Sequence, residues 1–232
     1  LAPMSTIAGQ LAFVVGSYHL LKHNKGKGVM IGHMDDMDPR VVTVIGAGVA
    51  GTQSILKAID NKALVKVVDS SQSKLDDLKS KYGTENVEYI LSSKDSIQVS
   101  VNESDLVIGS VYVVGKEAPK VVTKDMLSSM NPGTVMVDVS IDQGGCFETS
   151  KPTTHDSPTF LENDIVHYCV TNMPGAVPLT ATEALNKVSL SYVENLANNG
   201  IQNALDSDEH LRNGLNILDG RIVHPGVKEA LE

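Results

Sequence analysis

The 232 residues include 41% hydrophobic side chains, enough to bury a sizeable core and to exclude disorder as the overall state. Nineteen Lys and Arg against 28 Asp and Glu leave a net charge of −9, an acidic surface that repels phosphate backbones and argues against nucleic acid as a partner. No apolar run reaches the roughly 18–20 residues of a membrane span, and two cysteines, Cys146 and Cys169, form neither a secreted disulfide framework nor a metal-spaced cluster, so a reducing cytoplasm is expected.

The chain opens Leu1-Ala2-Pro3-Met4-Ser5 without an initiator Met and reads as the interior of a longer protein, or as a processed or truncated one. From Ser5, the apolar residues Ile7, Leu11, Val14, Tyr18 and Leu21 recur at helical spacing and predict an amphipathic helix. A polar break (His23 to Gly28) and an acidic loop ending in Pro39 follow. Strand patterns over 41–46, 63–69, 86–92, 105–113, 134–141 and 165–170 then alternate with helical patterns from Ala50, over 73–83 and over 123–133, with 94–104 as a crossover. This alternation predicts a doubly wound α/β fold, a parallel sheet with right-handed crossovers and helices on both faces.

After Pro178 the pattern changes. Thr180 to Glu183 match a capping box, and a long helix is expected with Leu185, Val188, Val193 and Leu196 on one face, ending at Gly200. A second short helix starts at Ile201, and no further strand is expected. Residues 1–178 therefore read as the sheet domain and 179–232 as a helical appendage outside it.

Between the first strand and its helix lies Gly46-x-Gly48-x-x-Gly51, with Val49 and Ala50 inside the motif. The first Gly permits the turn, the second lets backbone approach a pyrophosphate, and the third lets helix and strand pack closely. The next strand ends in Asp69, 18 residues beyond Gly51, where a carboxylate would bind adenosine ribose hydroxyls. That acid would repel a 2′-phosphate, so a Rossmann-type site for NAD is expected over one for NADP; a satisfied loop with a helix-capping Asp is the alternative. Lys74 could reach the same ribose or stand as a solvated helix residue. Gly109 and Ser110 fall near the cofactor path.

Two readings stand for Asp142, which follows the fifth strand in "SIDQGGCFET". Ligands in such sheets bind outside the carboxyl ends of the strands, so Asp142 and Asn172-Met173 fall toward the nicotinamide end. There Asp142 could orient the nicotinamide ribose or move a proton on a substrate. The other reading is a carboxylate capping N–H groups of the Gln143-Gly144-Gly145 turn. Asp138 reads as a buried, hydrogen-bonded structural group and Cys146 as a small buried residue.

The segments "LAPMSTIAGQLA", "VIGAGVAGT", "DLVIGSVYVVGKEAPK", "VDVSIDQGGCFETSKPTTHDSPTF" and "HYCVTNMPGAVPLTATEAL" together resemble the NAD-dependent alanine dehydrogenases. The resemblance implies a two-domain enzyme that interconverts L-alanine and pyruvate plus ammonium, passing hydride to or from NAD, and assembling as a homohexamer. It implies that Asp142 is catalytic and that Ser5, Gly46 to Gly51, Asp69, Lys74, Ser92 or Ser93, Val111, Ile141, Asn172 and Met173 line the cofactor. It further implies that residues 179–232 are the returning part of a substrate domain. The family's substrate-binding Arg and Lys and its catalytic His lie in an N-terminal region with no counterpart here. None of the seven histidines (His19, His23, His33, His155, His167, His210, His224) matches that His, and none receives a role. This chain alone is therefore expected to bind NAD without efficient alanine turnover, unless a separately encoded half completes it. Val114 stands where relatives often carry Pro. A non-catalytic NAD-binding module and a transhydrogenase cofactor subunit are the competing expectations.

Overall fold

The computed structural model describes residues 2–32, 34–113 and 117–231; His33 and Val114 lie outside them. The chain divides into two compact units, residues 1–178 and 179–232.

Among the described residues the first unit is built on seven strands: β1 (Val41–Ile45), β2 (Leu64–Asp69), β3 (Val87–Leu91), β4 (Leu106–Gly109), β5 (Val135–Asp138), β6 (Thr159–Glu162) and β7 (Ile165–Tyr168). Their spatial order is β3-β2-β1-β4-β5-β7-β6. All pair in parallel except β6, which runs antiparallel on the edge. The expected doubly wound α/β fold is present, and the chain reverses direction across the sheet between β1 and β4. The interior strands are nearly continuous apolar runs because both faces are covered. Leu106, Ile108, Val135 and Val137 point to a core shared with α1 (Ala2–His19), α2 (Val49–Asp60) and α3 (Gln72–Tyr82). Val107 and Met136 point the other way, toward α4 (Lys94–Glu103) and α5 (Lys124–Leu127).

Several elements differ from expectation, each for a local reason. In α1 Ile7 is buried as expected, with Ala8, Gly9, Ala12, Phe13 and Gly16, whereas Val14 and Tyr18 are exposed. Small residues hold the part of that face that lies almost on the backbone of α2. A methyl group at Gly9 would overlap the Ala50 carbonyl oxygen, and the Ser54 hydroxyl donates to the Gly9 carbonyl at 2.7 Å. Crossover 94–104 is a helix, whose start Ser93 and Ser96 hold in a reciprocal capping box. After Leu127, α5 continues only as tighter turns, with Ser128, Ser129 and Met130 donating to carbonyls three residues back.

Strand β6 is absent from the sequence reading. Its hairpin to β7 turns on Asn163-Asp164, both with positive φ (51° and 58°), the backbone that a two-residue hairpin of this twist demands.

In the second unit, α6 (Pro178–Ser207) starts two residues before Thr180. Thr180 and Glu183 therefore both lie inside the helix, and the pair is no capping box. Gly200 (φ 73°, ψ 165°) breaks the helix where expected. Past α7 (Glu209–Asn213), β8 (Ile217–Leu218) and β9 (Arg221–Ile222) pair through Asp219-Gly220, and α8 (Pro225–Leu231) follows. The expectation of no strand here is corrected: Asp-Gly with both φ positive is a hairpin turn.

Candidate functional site

The glycine loop leaves β1 at Gly46, whose N–H donates to the Val68 carbonyl at 2.7 Å and whose φ of 97° is open to Gly at little cost. A methyl at Gly51 would overlap the Gly46 carbonyl and sit 2.6 Å from the Ser110 hydroxyl. That hydroxyl, at the end of β4, donates to the Gly46 carbonyl at 2.7 Å, so the loop is braced by the neighbouring strand. Gly48 is the N-cap of α2 and supplies no side-chain cap. The space where its Cβ would stand is open, with nothing within 4 Å. The first N–H groups of α2, on Val49, Ala50 and Gly51, have no intrahelical acceptor and carry the positive end of the helix dipole. Together these make a cradle of donors facing free space, the arrangement that accepts a pyrophosphate.

Asp69 closes β2 and is 8% exposed. One carboxylate oxygen accepts from Ala47 N–H at 2.7 Å and the other from Ser71 N–H at 2.8 Å. Two lone-pair positions remain on the carboxylate for further donors. Ser92 N–H donates to the Asp69 carbonyl at 2.9 Å, which puts the end of β3 beside this acid. The Ser93 hydroxyl is occupied in capping α4. Lys74 is exposed on the first turn of α3. Ser5 is partly exposed on α1, one turn ahead of the Gly9 contact with Ala50.

Three strands along the same sheet edge, β5 ends in Asp138, which is fully buried. Its carboxylate accepts from Ser140 N–H (3.0 Å), Cys146 N–H (2.8 Å), Phe147 N–H (3.3 Å) and the Ser150 hydroxyl (2.5 Å). These bonds fold the segment Ser140 to Ser150 around one charge. Burial, reinforced by the Asp138 charge, pushes the Cys146 thiol well up and the Cys169 thiol up to about 12. Neither is a nucleophile at neutral pH.

From that segment the 3₁₀ turn Ile141–Gln143 projects Asp142 into solvent while Ile141 is buried. The turn's own amides are already satisfied: Gln143 and Gly145 donate to Ser140, and Gly144 to Ile141. Asp142 is therefore not their cap. Both its oxygens lie 3.3 Å from the Asn172 N–H. Asn172 holds a left-handed backbone (φ 51°), and buried Met173 begins the next 3₁₀ turn. Lys120 donates to the Gly144 and Gly145 carbonyls, and the Val111 carbonyl accepts from the Ser140 hydroxyl at 2.8 Å. Val111, Ile141, Asp142, Asn172 and Met173 thus form one group, and Gly46 to Gly51, Asp69 and Ser92 another.

Ser110, expected near the cofactor path, braces the glycine loop, whereas His155, given no role from the sequence, has its Nε2 3.3 Å from the Asn172 carbonyl. The His155 contact spans 17 residues and ends on a backbone carbonyl, so no local pattern announces it. His167 is buried; its Nδ1 meets the Ile165 carbonyl and its Nε2 the Thr149 hydroxyl at 2.8 Å, and burial lowers its pKa. Among the described residues no group of three His, Cys, Asp or Glu could hold a metal ion, and no helix is long and apolar enough to cross a membrane.

The alanine dehydrogenase of Halomonas elongata is 47% identical over 230 residues, 99% of this chain and 62% of that protein. A solved L-alanine dehydrogenase structure superposes with a TM-score of 0.94 at 43% identity, covering 99% of this chain and 63% of its own. A transhydrogenase from Sinorhizobium meliloti shares the fold with a TM-score of 0.81 at 21% identity, over 96% of this chain and 63% of that one. The chain thus spans less than two thirds of the length of these relatives. A family model described as the alanine dehydrogenase/PNT C-terminal domain matches residues 12–225. On that match, and on the sheet and glycine loop that accompany it, the chain belongs to the alanine dehydrogenase/PNT C-terminal domain family.

Proposed function

We propose that this chain is the NAD-binding part of an amino-acid dehydrogenase that interconverts L-alanine and pyruvate plus ammonium. The observation that carries the cofactor assignment is the pairing of the uncapped, open N-terminus of α2 with Asp69 locked against the same loop. The amides of Val49, Ala50 and Gly51 hold the pyrophosphate, and Asp69 accepts from the adenosine ribose while repelling a 2′-phosphate. Ser92 and Lys74 flank that ribose, and Ser5 approaches the dinucleotide from α1. Val111, Ile141, Asn172 and Met173 line the nicotinamide end. NAD, when bound, supplies the acceptor for the electron pair that leaves the substrate carbon. Asp142, exposed and free of its own turn, positions the nicotinamide ribose or moves a proton at the substrate amine.

The alanine assignment draws on the relatives' names. It is supported by the Asp-Gln-Gly-Gly turn, which aims a carboxylate at the Asn172 segment. Residues 1–178 serve as the cofactor domain and 179–232 as part of a substrate domain. Exposed Leu179, Leu185, Val188, Leu190 and Val193 along α6 support a further partner for that helix. Assembly as a homo-oligomer and residence in the cytoplasm complete the reading; two buried free thiols suit a reducing compartment.

Calorimetric titration of the chain with NAD and NADP tests the cofactor reading. NAD binds, and NADP binds at least tenfold more weakly. Preference for NADP, or binding of neither, overturns it. Mixing the chain with L-alanine and the relatives' remaining sequence tests the substrate: NADH formation specific to alanine is expected, and turnover only with another amino acid overturns that part.

A further inference from the structure

Asp138 has a property that its structural bonds do not require. It is a fully buried carboxylate whose hydrogen-bond partners among the described residues are three amides, the Ser150 hydroxyl and the Cys146 thiol, with no cation among them. Both oxygens accept, each from more than one donor. A negative charge compensated by dipoles alone keeps a field that reaches beyond its first neighbours, because little water is present to screen it.

Its place in the sheet decides what else would feel it. Asp138 pairs in register with Gly109, and the next residue, Ser110, grips the glycine loop. Order β2-β1-β4-β5 puts the end of β5 three strand spacings, about 14 Å, from Asp69. A dinucleotide anchored by its adenosine ribose at Asp69 and its pyrophosphate at α2 therefore lays its nicotinamide across the ends of β4 and β5. The oxidised ring carries one positive charge and the reduced ring none.

We infer that buried Asp138 sets the preference between oxidised and reduced cofactor, holding NAD⁺ more tightly than NADH relative to a site without the charge. This rests on the NAD reading above and goes beyond it, assigning to a residue outside the cofactor lining control of which redox form stays bound. Exposed Asp142 and Lys120 stand nearer to solvent at the same end, and salt screens them where it does not screen Asp138.

The test measures dissociation constants for NAD⁺ and NADH on the full chain and on Asp138→Asn and Ser150→Ala. In Asp138→Asn the ratio Kd(NAD⁺)/Kd(NADH) rises on the order of tenfold, the loss of one unit charge's attraction for the oxidised ring in a partly buried site. Ser150→Ala removes a donor and keeps the charge, so both constants rise together and their ratio stays within about twofold. A ratio unmoved in Asp138→Asn, or moved equally in both variants, overturns the inference. Should Asp138→Asn fail to fold, the unmodified chain decides. From low salt to 1 M its ratio stays constant if the buried charge governs it, and a severalfold drift assigns it to exposed groups instead. Failure of the unmodified chain to bind either form refutes the NAD reading itself, a result distinct from binding with an unchanged ratio.

Discussion

The two ends of the candidate site hold their acids in opposite ways. Asp69 is buried and accepts two short bonds, from the Ala47 amide of the glycine loop and the Ser71 amide of its own, so its carboxylate is fixed at the proposed adenosine end. Asp142 is exposed and shares one distant amide from a segment 30 residues away, so its aim is set by the scaffold beneath it. That scaffold is another carboxylate, Asp138, with the Ser140 to Ser150 segment wrapped on it. Asp69 is built into secondary structure, whereas Asp142, the proposed catalytic group, stands free on a braced turn. The contrast fits a site in which one end must only hold and the other must also release protons or products.

Substitutions can break this comparison at either end, and the largest effect falls at the glycine loop. Gly51→Ala forces a methyl against the Gly46 carbonyl and Ser110. It should cost about 1–3 kcal/mol of stability and abolish measurable NAD binding; a melting curve with calorimetry checks both. Asp69→Ala comes next, leaving the Ala47 and Ser71 amides without their acceptor. About 1–3 kcal/mol of stability should be lost, with NAD affinity down roughly tenfold or more and the discrimination against NADP reduced. Affinity unchanged by calorimetry would remove Asp69 from the site.

Acid should loosen the Asp142 end. Burial holds His167 below its ordinary value of 6.5, and its ring anchors Thr149 in the segment that carries the turn. Between 6.5 and its lower folded value the unfolded chain binds more protons, so stability falls as pH falls through that window. Buried His19 contributes with the same sign. Thermal melts from pH 7.5 to 5 should show the decline, and His167→Gln should flatten it; an equal slope in the variant would assign the effect elsewhere. The smallest change is expected from Asp142→Asn. Its bonds to Asn172 are long, so Tm should move by less than about 2 °C, while alanine-dependent NADH formation by the completed enzyme falls at least a hundredfold. A large loss of stability instead would make Asp142 structural, like Asp138.

The sequence by itself determined the strand–helix alternation, the glycine loop with its acid at the end of the second strand, and the break at Gly200. These are local: β-branched runs form buried strands, and a tight turn against a helix N-terminus needs glycine wherever it occurs. The hairpin turns Asn163-Asp164 and Asp219-Gly220 were equally local, and their positive-φ residue types were there to be read. Tertiary structure alone decided which face of α1 is buried, because close approach to Ala50 favours Gly9 over larger apolar neighbours. It also decided that Asp142 serves Asn172 rather than its own turn, that Ser110 braces the glycine loop, and that His155 meets the Asn172 carbonyl. These contacts join residues 17 to 64 positions apart, mostly through backbone amides and carbonyls, which every residue carries and no side-chain pattern marks.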